Sequence, residues 1–360
     1  MILSRSRVVE RSRELHSVVR TFLKQMDQGP NREIYTQLFH DYGLGDCKLH
    51  WIVSNTLIPA CVPYKKQLIV TPGNGTIATI ESICYQLLTY PEELFVIPSA
   101  RDELGLDFIR LLKEQGWPVS FSEVGDHEGK LESAAHFDPD LAILYGSDDT
   151  IREYEKQLSP YARVVKYGSK TSIGVHFVED RRDLESYTEL YASDFFKNGG
   201  VGCLNTSVLY LITQTRDRSV FNSWVSSLAE VRERYIPFPS QNSLATLQAS
   251  MLRAGVDFSQ DQGIILRDTT EHTGTIGIGN GTAVIVVCSF DDVLQEWDGR
   301  GHLLSSATLR EGFGNNSDIL FDLGVSRITR PGKAQSPSHK WRHDGLPIIP
   351  VWGREVGFDL

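Results

Sequence analysis

Leu141-Ala142-Ile143-Leu144-Tyr145-Gly146-Ser147 is the stretch that decides the fold. Five apolar residues in a row, bounded by a turn signal, read as a strand buried on both faces. Gly146-Ser147 ends the strand and opens a helix over 148–158. Arg163-Val164-Val165-Lys166-Tyr167 then reads as the next strand. Strand, helix and strand in so short a span make a βαβ unit, whose two strands lie parallel.

The alternation continues in both directions. Upstream, residues 50–70 are strand-like, with Trp51-Ile52-Val53 and Leu68-Ile69-Val70 flanking a proline-containing connection. A helix follows at 76–90, a strand at 94–98 and a helix at 102–115, stopped by Gly116-Trp117-Pro118. A strand at 118–122 and a polar stretch lead back to Leu141. Downstream, Arg181–Phe196 reads as one helix, Val208–Ile212 as a strand, 217–232 as a helix and Ala283–Cys288 as a buried strand. Residues 5–41 predict a helix, with Val8, Val9, Leu15, Val18, Val19, Phe22 and Leu23 near helical spacing. The pattern predicts an α/β fold of mostly parallel, doubly wound sheets. At roughly 150 residues per domain, the length suggests two domains.

The chain has 360 residues, 41% hydrophobic and 23% charged, enough apolar material for a large core. Forty-six acidic residues against 36 basic give a net charge of −10. Such a surface argues against nucleic acid as a partner. Any anionic substrate must then meet a local basic site. The five cysteines are odd in number, widely spaced and never at CxxC distance, which argues against a disulfide framework and a metal site. The N-terminus turns charged at once and lacks the apolar run of a signal peptide. No run of about 18 apolar residues marks a membrane span. A reducing, cytoplasmic setting is expected. Asn74, Asn205, Asn280 and Asn315 each open a glycosylation pattern, read here as chance matches.

Asn198-Gly199-Gly200-Val201-Gly202-Cys203 is the stretch richest in chemistry. Glycines allow positive φ and close approach to the backbone. The loop can therefore hold a sulfur at the end of an element with room for a substrate beside it. A thiolate there is a nucleophile. The same residues also fit a small buried thiol next to a turn.

Other stretches carry weaker signals. Asn74 lies between two glycines, after a strand and before a helix, where its amide could donate to an oxyanion or simply fill a turn. Gly146-Ser147 opens a helix, as a phosphate site or as a plain N-cap. Asp148 and Asp149 would repel an anion there. Lys166-Tyr167-Gly168-Ser169-Lys170 offers two cations and a glycine turn, or a solvated strand end. Gly274–Gly281 is glycine-rich but leads into a strand, so it fails the dinucleotide fingerprint. Trp341-Arg342-His343-Asp344-Gly345 sets a histidine beside a carboxylate. Neighbours in sequence seldom face each other, so an acid–base pair between them is not expected, although one could reach a cleft.

Taken in order, these pieces resemble the aldehyde dehydrogenase superfamily, and within it the LuxC-type acyl-CoA reductases. The likeness rests on Pro72-Gly73-Asn74, Ile97-Pro98-Ser99, Gly146-Ser147, Lys166–Lys170 and the Asn-x-Gly-x-x-Cys loop from Asn198 to Cys203. Gly301-His302-Leu303-Leu304-Ser305-Ser306, Gly332 and Trp341–Gly345 match the LuxC branch. The resemblance implies two Rossmann-like lobes with the active site in the cleft between them. It divides the chain into an N-terminal helical segment (1–48), a cofactor-binding domain (49–178 plus 326–360) and a thiol domain (179–325).

The implied activity is NAD(P)H-dependent reduction of an acyl thioester, on coenzyme A or an acyl-carrier protein, to an aldehyde through an acyl-Cys203 intermediate. Asn74 and the Cys203 backbone N–H would hold the oxyanion. Ser99, Arg101, Gly146, Ser147, Gly168 and Lys170 would bind the cofactor, and Lys166 and His343 would face the substrate or cleft. Acid-forming relatives use a glutamate where this chain has Lys166, and a protonated lysine cannot activate water. That departure favours the reductive direction. Ile97 stands where the family often has a lysine on the cofactor ribose. Ser99 and Arg101 could replace it, and Arg101 could pair with a 2′-phosphate. NADPH is therefore the preferred cofactor, with NADH the alternative. A homo-oligomer and acyl-transferring partner enzymes are expected. The rival readings are a cysteine acyltransferase or thioesterase without nicotinamide, and a noncatalytic interaction subunit.

Overall fold

The computed structural model describes residues 2–26, 61–73, 76–99, 102–179, 181–214, 218–236, 240–253, 257–268, 281–310, 316–337, 342–347 and 349–355. It forms two compact units. The first takes Met1–Ser169, Ser338–Trp341 and Leu346–Leu360, and the second takes Lys170–Pro337 and Arg342–Gly345.

The first unit is built on β2 (Lys66–Val70), β3 (Glu93–Ile97), β4 (Val119–Phe121), β5 (Leu141–Tyr145) and β6 (Arg163–Tyr167). They form one fully parallel sheet in the order β4-β3-β2-β5-β6. The short β1 (Cys61–Val62) pairs separately with β14 (Arg354–Glu355). Among the described residues five helices belong to this unit: α1 (Arg5–Met26), α2 (Thr76–Leu88), α3 (Glu103–Glu114), α4 (His127–Phe137) and α5 (Asp148–Gln157).

Alternate strand residues point to opposite faces, and both faces are covered. Ile69, Leu141 and Ile143 pack with α1, α2 and α3. Leu68, Val70, Ala142 and Leu144 pack with Ala134 and Phe137 of α4 and Ile151 and Tyr154 of α5. This is why those strands read as unbroken apolar runs. The strand order reverses between β2 and β5, and sheets of this kind take ligands outside the carboxyl ends of their strands at such a point.

The second unit carries β7 (Thr171–Phe177), β8 (Thr206–Ile212), β9 (Phe258–Asp261), β10 (Ile264–Arg267), β11 (Ala283–Cys288), β12 (Leu304–Leu309) and β13 (Arg327–Thr329). Their order is β13-β12-β7-β8-β11-β10-β9, parallel except for the β9–β10 hairpin. Its helices are α6 (Arg181–Ser186), α7 (Thr188–Phe196), α8 (Asn222–Arg232), α9 (Gln241–Arg253), α10 (Phe290–Trp297) and α11 (Asn316–Asp322). Leu209, Leu211, Ile285 and Val287 face α7 and α8. Val208, Tyr210, Val284 and Val286 face α9 and α10. Two register shifts fall at the amino ends of adjacent strands, between Ser172 and Ile173 and between Leu304 and Ala307.

Several sequence expectations change. The N-terminal helix belongs to the first unit rather than standing apart. Val8, Leu15, Val18, Val19 and Phe22 join the core, and Arg11 lies over the Tyr90 and Trp117 rings at 4.7 and 4.3 Å. Residues 27–60, including Trp51–Val53, lie outside the described residues. The polar stretch before Leu141 contains α4, capped by Asp126, whose side chain accepts from the Gly129 N–H. The helix expected over Arg181–Phe196 is two, parted at Tyr187, whose φ and ψ are −98° and 0°.

The boundary expected at 178 falls at 169/170, because Thr171–Phe177 is hydrogen-bonded between β8 and β12. The tail expected to join the first domain from 326 is divided. Arg327–Thr329 pairs with β12 and residues 342–345 stay with the second unit. Ile349 and Trp352 enter the first unit's core. Among the described residues no helix is long and apolar enough to cross a membrane.

Leu209 is fully buried in β8, between β7 and β11. Leu209→Ala is expected to cost about 2–5 kcal/mol, read as a lower midpoint in urea unfolding.

Candidate active site around Cys203

The loop that carries Cys203 is shaped by the end of α7. A helix leaves its last carbonyls without intrahelical donors. Here the chain makes one 3₁₀ turn, Lys197–Gly200, with Gly199 and Gly200 at φ of +74° and +70°. Those values are rarely adopted by residues with a Cβ. The buried Asn205 then closes the loop. Its Nδ2 donates to the carbonyls of Asp194, Phe195 and Lys197 at 3.0–3.1 Å, and its Oδ1 accepts from the Gly202 N–H at 2.8 Å. A Cβ on Gly202 would lie 2.9 Å from Asn205 Oδ1, so this close approach needs glycine.

Two serines hold the next peptide. Ser172 Oγ donates to the Cys203 carbonyl at 2.8 Å, and Ser306 Oγ donates to Ser172 Oγ at 2.8 Å. Both serines come from the shifted stretches at the amino ends of β7 and β12. β-bulges of this kind re-aim side chains beside active sites. The cysteine is thus clamped by its neighbours while its own side chain stays exposed.

The 342–345 turn meets the sulfur. His343 Nε2 is 3.9 Å from Cys203 Sγ, and Asp344 Oδ2 is 3.8 Å from the same nitrogen. Asp344 adopts φ +51°, and its Oδ1 accepts from Ser305 Oγ at 3.0 Å. Although Cys203 is surface-exposed as a residue, the protein around its sulfur pushes the thiol up to about 12. Asp344 adds to that rise, while the Cys203 and Leu204 backbone N–H groups and Arg327 oppose it.

Asp194 braces the site from below. It is fully buried, and its two oxygens accept from the backbone N–H groups of Gly332 and Ala334 at 2.8 and 2.9 Å. Burial pushes its carboxyl up to about 7, against those two donors, Arg327 and Thr308.

Of the residues singled out from sequence, the structure brings Cys203 and His343 together. Asn74 and Arg101 lie outside the described residues. Ser99, Gly146, Ser147 and Gly168 lie beyond the carboxyl ends of the first unit's strands. The Ser99 N–H donates to Thr71 Oγ1 at 2.9 Å. Ser147 is the N-cap of α5, and its Oγ accepts from the Thr150 N–H. Asp148 turns its Oδ1 onto the Ser169 N–H at 3.0 Å, and a Cβ on Gly168 would lie 2.3 Å from that oxygen. The strand-end turn therefore holds the protein's own carboxylate.

Lys166 pairs with Glu155 of α5 at 2.5 Å, and Lys170 donates to the His302 carbonyl. Asn205, Ser172, Ser305, Ser306 and Asp194 were not singled out from sequence as site residues. Asn205 carried only a chance glycosylation pattern.

Residues 10–349 match the family described as Acyl-CoA reductase (LuxC). The chain belongs to the LuxC acyl-CoA reductase family. It is therefore an oxidoreductase of acyl-CoA reductase type. No curated protein matches it.

Solved structures share the fold. One is the indole-3-acetaldehyde dehydrogenase AldA of P. syringae, in complex with NAD+. It is 14% identical with a TM-score of 0.66, over 89% of this chain and 76% of that one. Another is an NAD-dependent benzaldehyde dehydrogenase from Corynebacterium glutamicum, 13% identical with a TM-score of 0.68, over 93% and 81%. A third is betaine aldehyde dehydrogenase from Staphylococcus aureus, 13% identical with a TM-score of 0.68, over 90% and 75%.

Two outcomes are expected. Asn205→Asp keeps the acceptor for Gly202 but loses the amide donor that serves three carbonyls. It should lower the melting temperature about as much as Asn205→Ala, since each buried polar group left unpaired costs about 1–3 kcal/mol. Asp194 titrates higher in the folded chain than in the unfolded one. Its contribution is therefore fully present below the ordinary carboxylate range and is lost as pH rises through about 7. Melting temperatures between pH 5 and 8 should show this slope, and Asp194→Asn should flatten it.

Proposed function

We propose that this protein reduces an acyl thioester to an aldehyde through an acyl group carried on Cys203. The observation that carries this reading is an exposed thiol, clamped by Asn205, Ser172 and Ser306, in a chain of the acyl-CoA reductase family.

In the first half-reaction the Cys203 sulfur attacks the acyl carbonyl, and the bond to the carrier sulfur breaks. The acyl group remains on Cys203 and the carrier leaves as a thiol. The Cys203 backbone N–H and, as the family resemblance implies, the Asn74 amide would serve the oxyanion, a class of contact worth on the order of 100- to 1000-fold in rate. The thioester donor is an acyl-CoA or an acyl-carrier protein, which acyl-transferring enzymes could load.

The first unit fits a nicotinamide dinucleotide. Its strand order reverses between β2 and β5, and α2 begins there with no acidic residue in its first turn. A Cβ on Gly73 would meet Ser99 Oγ at 3.4 Å, an ordinary contact, so the turn lies beside Ser99. Ser99, Gly146 and Ser147 would hold the group, with Asp148 and Asp149 turning its phosphates away from α5. When bound in reduced form, it supplies the hydride that takes the acyl group to the aldehyde level. Arg101 supports NADPH over NADH through a 2′-phosphate. Lys166, spent on Glu155, is not a base for water.

One observation favours a second reading. His343 and Asp344 stand beside the sulfur and could activate water, giving a free acid without nicotinamide.

Incubation with a panel of acyl-CoAs and both reduced nicotinamides separates the two. Nicotinamide oxidation matched by trapped aldehyde is expected, with NADPH preferred. Cys203→Ala should abolish both the aldehyde and the acyl adduct seen by intact mass. Free acid with no nicotinamide consumed would favour the thioesterase, and no adduct at all would favour a noncatalytic relative.

A further inference from the structure

The thiol at the centre of this site is poorly prepared to react alone. Its surroundings push it up to about 12, so near neutral pH the sulfur carries its proton. The backbone N–H groups of Cys203 and Leu204 and the Arg327 guanidinium only partly offset that rise. A nucleophile in this condition needs a base within reach.

Among the described residues the second unit presents one imidazole to the sulfur. We infer that His343 is a catalytic residue, whose Nε2 takes the Cys203 proton as the sulfur attacks and returns it to the departing carrier thiolate. The inference rests on the acyl-transfer reading above and adds the proton's path to it. The S–H bond breaks as the N–H bond forms, and the sulfur's electron pair makes the new C–S bond. When the old C–S bond breaks, its electron pair leaves on the carrier sulfur, which takes the proton from the imidazolium. No oxidant, reductant or metal enters these steps.

The geometry supports this assignment. The 3.9 Å approach of Nε2 to Sγ is within reach of a sulfur hydrogen bond, and such contacts tighten when substrate binds. The imidazole is sheltered, its side chain 23% exposed. Its turn is fixed by the left-handed Asp344, by the Gly345 N–H donating to the Arg342 carbonyl, and by Ser305.

Asp344 stands on the same nitrogen as the sulfur, so it is not the far member of a triad. Its charge opposes the thiolate and favours the imidazolium, and Asp344 is a positioning residue. Among the described residues, the charged groups facing the pair are Asp344 from the turn and Arg327 from β13. The amino ends of β7 and β12 bring the hydroxyls of Ser172, Ser305 and Ser306.

The test is the pH dependence of Cys203 alkylation by iodoacetamide, followed by mass spectrometry of the peptide that contains it. This readout needs neither thioester nor nicotinamide, so it stands even if the reductase reading fails. In the wild type the rate should rise through an inflection in the histidine range. His343→Gln should remove that limb and slow alkylation at pH 7 by about 100-fold, with both proteins converging at high pH. Free imidazole should restore part of the rate to His343→Ala. A wild-type profile with a single inflection at high pH overturns the assignment without recourse to any variant. So does a His343→Gln profile that matches the wild type in a protein with an unchanged melting temperature.

Discussion

One side-chain amide sets the position of the reactive sulfur. Asn205 gathers three carbonyls at the end of α7 with its nitrogen and fixes the Gly202 N–H with its oxygen. No other uncharged side chain offers two donors and an acceptor in one plane except glutamine, which is longer by one methylene. The helix end, the glycine turn and the start of β8 are thereby joined within a few residues. Every further contact to Cys203 presupposes that joint. Were it lost, the serine contact to the Cys203 carbonyl would have nothing fixed to hold.

Around that joint the second unit uses the amino edge of its sheet. In doubly wound sheets the usual ligand position is at the carboxyl edge. The first unit follows that habit, with Ser99 and Gly146 beyond the carboxyl ends of β3 and β5. The second gathers Cys203, Ser172, Ser305 and Ser306 at the opposite edge, where two register shifts free backbone and side chains from the ladder. Chemistry at the amino edge requires such irregularity, because a regular parallel ladder gives no reason for serines to turn toward a loop.

The parts of the fold legible in sequence were those buried on both faces. Leu141–Tyr145 and Ala283–Cys288 are unbroken apolar runs because helices cover both sides of each strand. Helix α4 was illegible for the opposite reason. Only Ala134 and Phe137 are buried along it, too few to show a period. Strand β7 was missed because Ser172, Gly174 and His176 break its apolar pattern, although all three are buried. Cys203 was legible because glycines are costly unless used, and the left-handed Gly199 and Gly200 use them. His343 was half legible. Its residue type drew notice, but a partner 140 positions away is invisible to local spacing. Asn205 was illegible because its role lies in three carbonyls of a helix it follows.

The tail's division between the two units has a consequence in time. Residues 342–345 belong with the thiol, whereas Ile349 and Trp352 belong to the other core. During synthesis the cysteine emerges 140 residues before the imidazole exists. At ribosomal speeds of about 5–20 residues per second, that interval lasts on the order of ten seconds. Throughout it Cys203 has no His343 beside it, so the pair is completed only once residues 342–345 have been made.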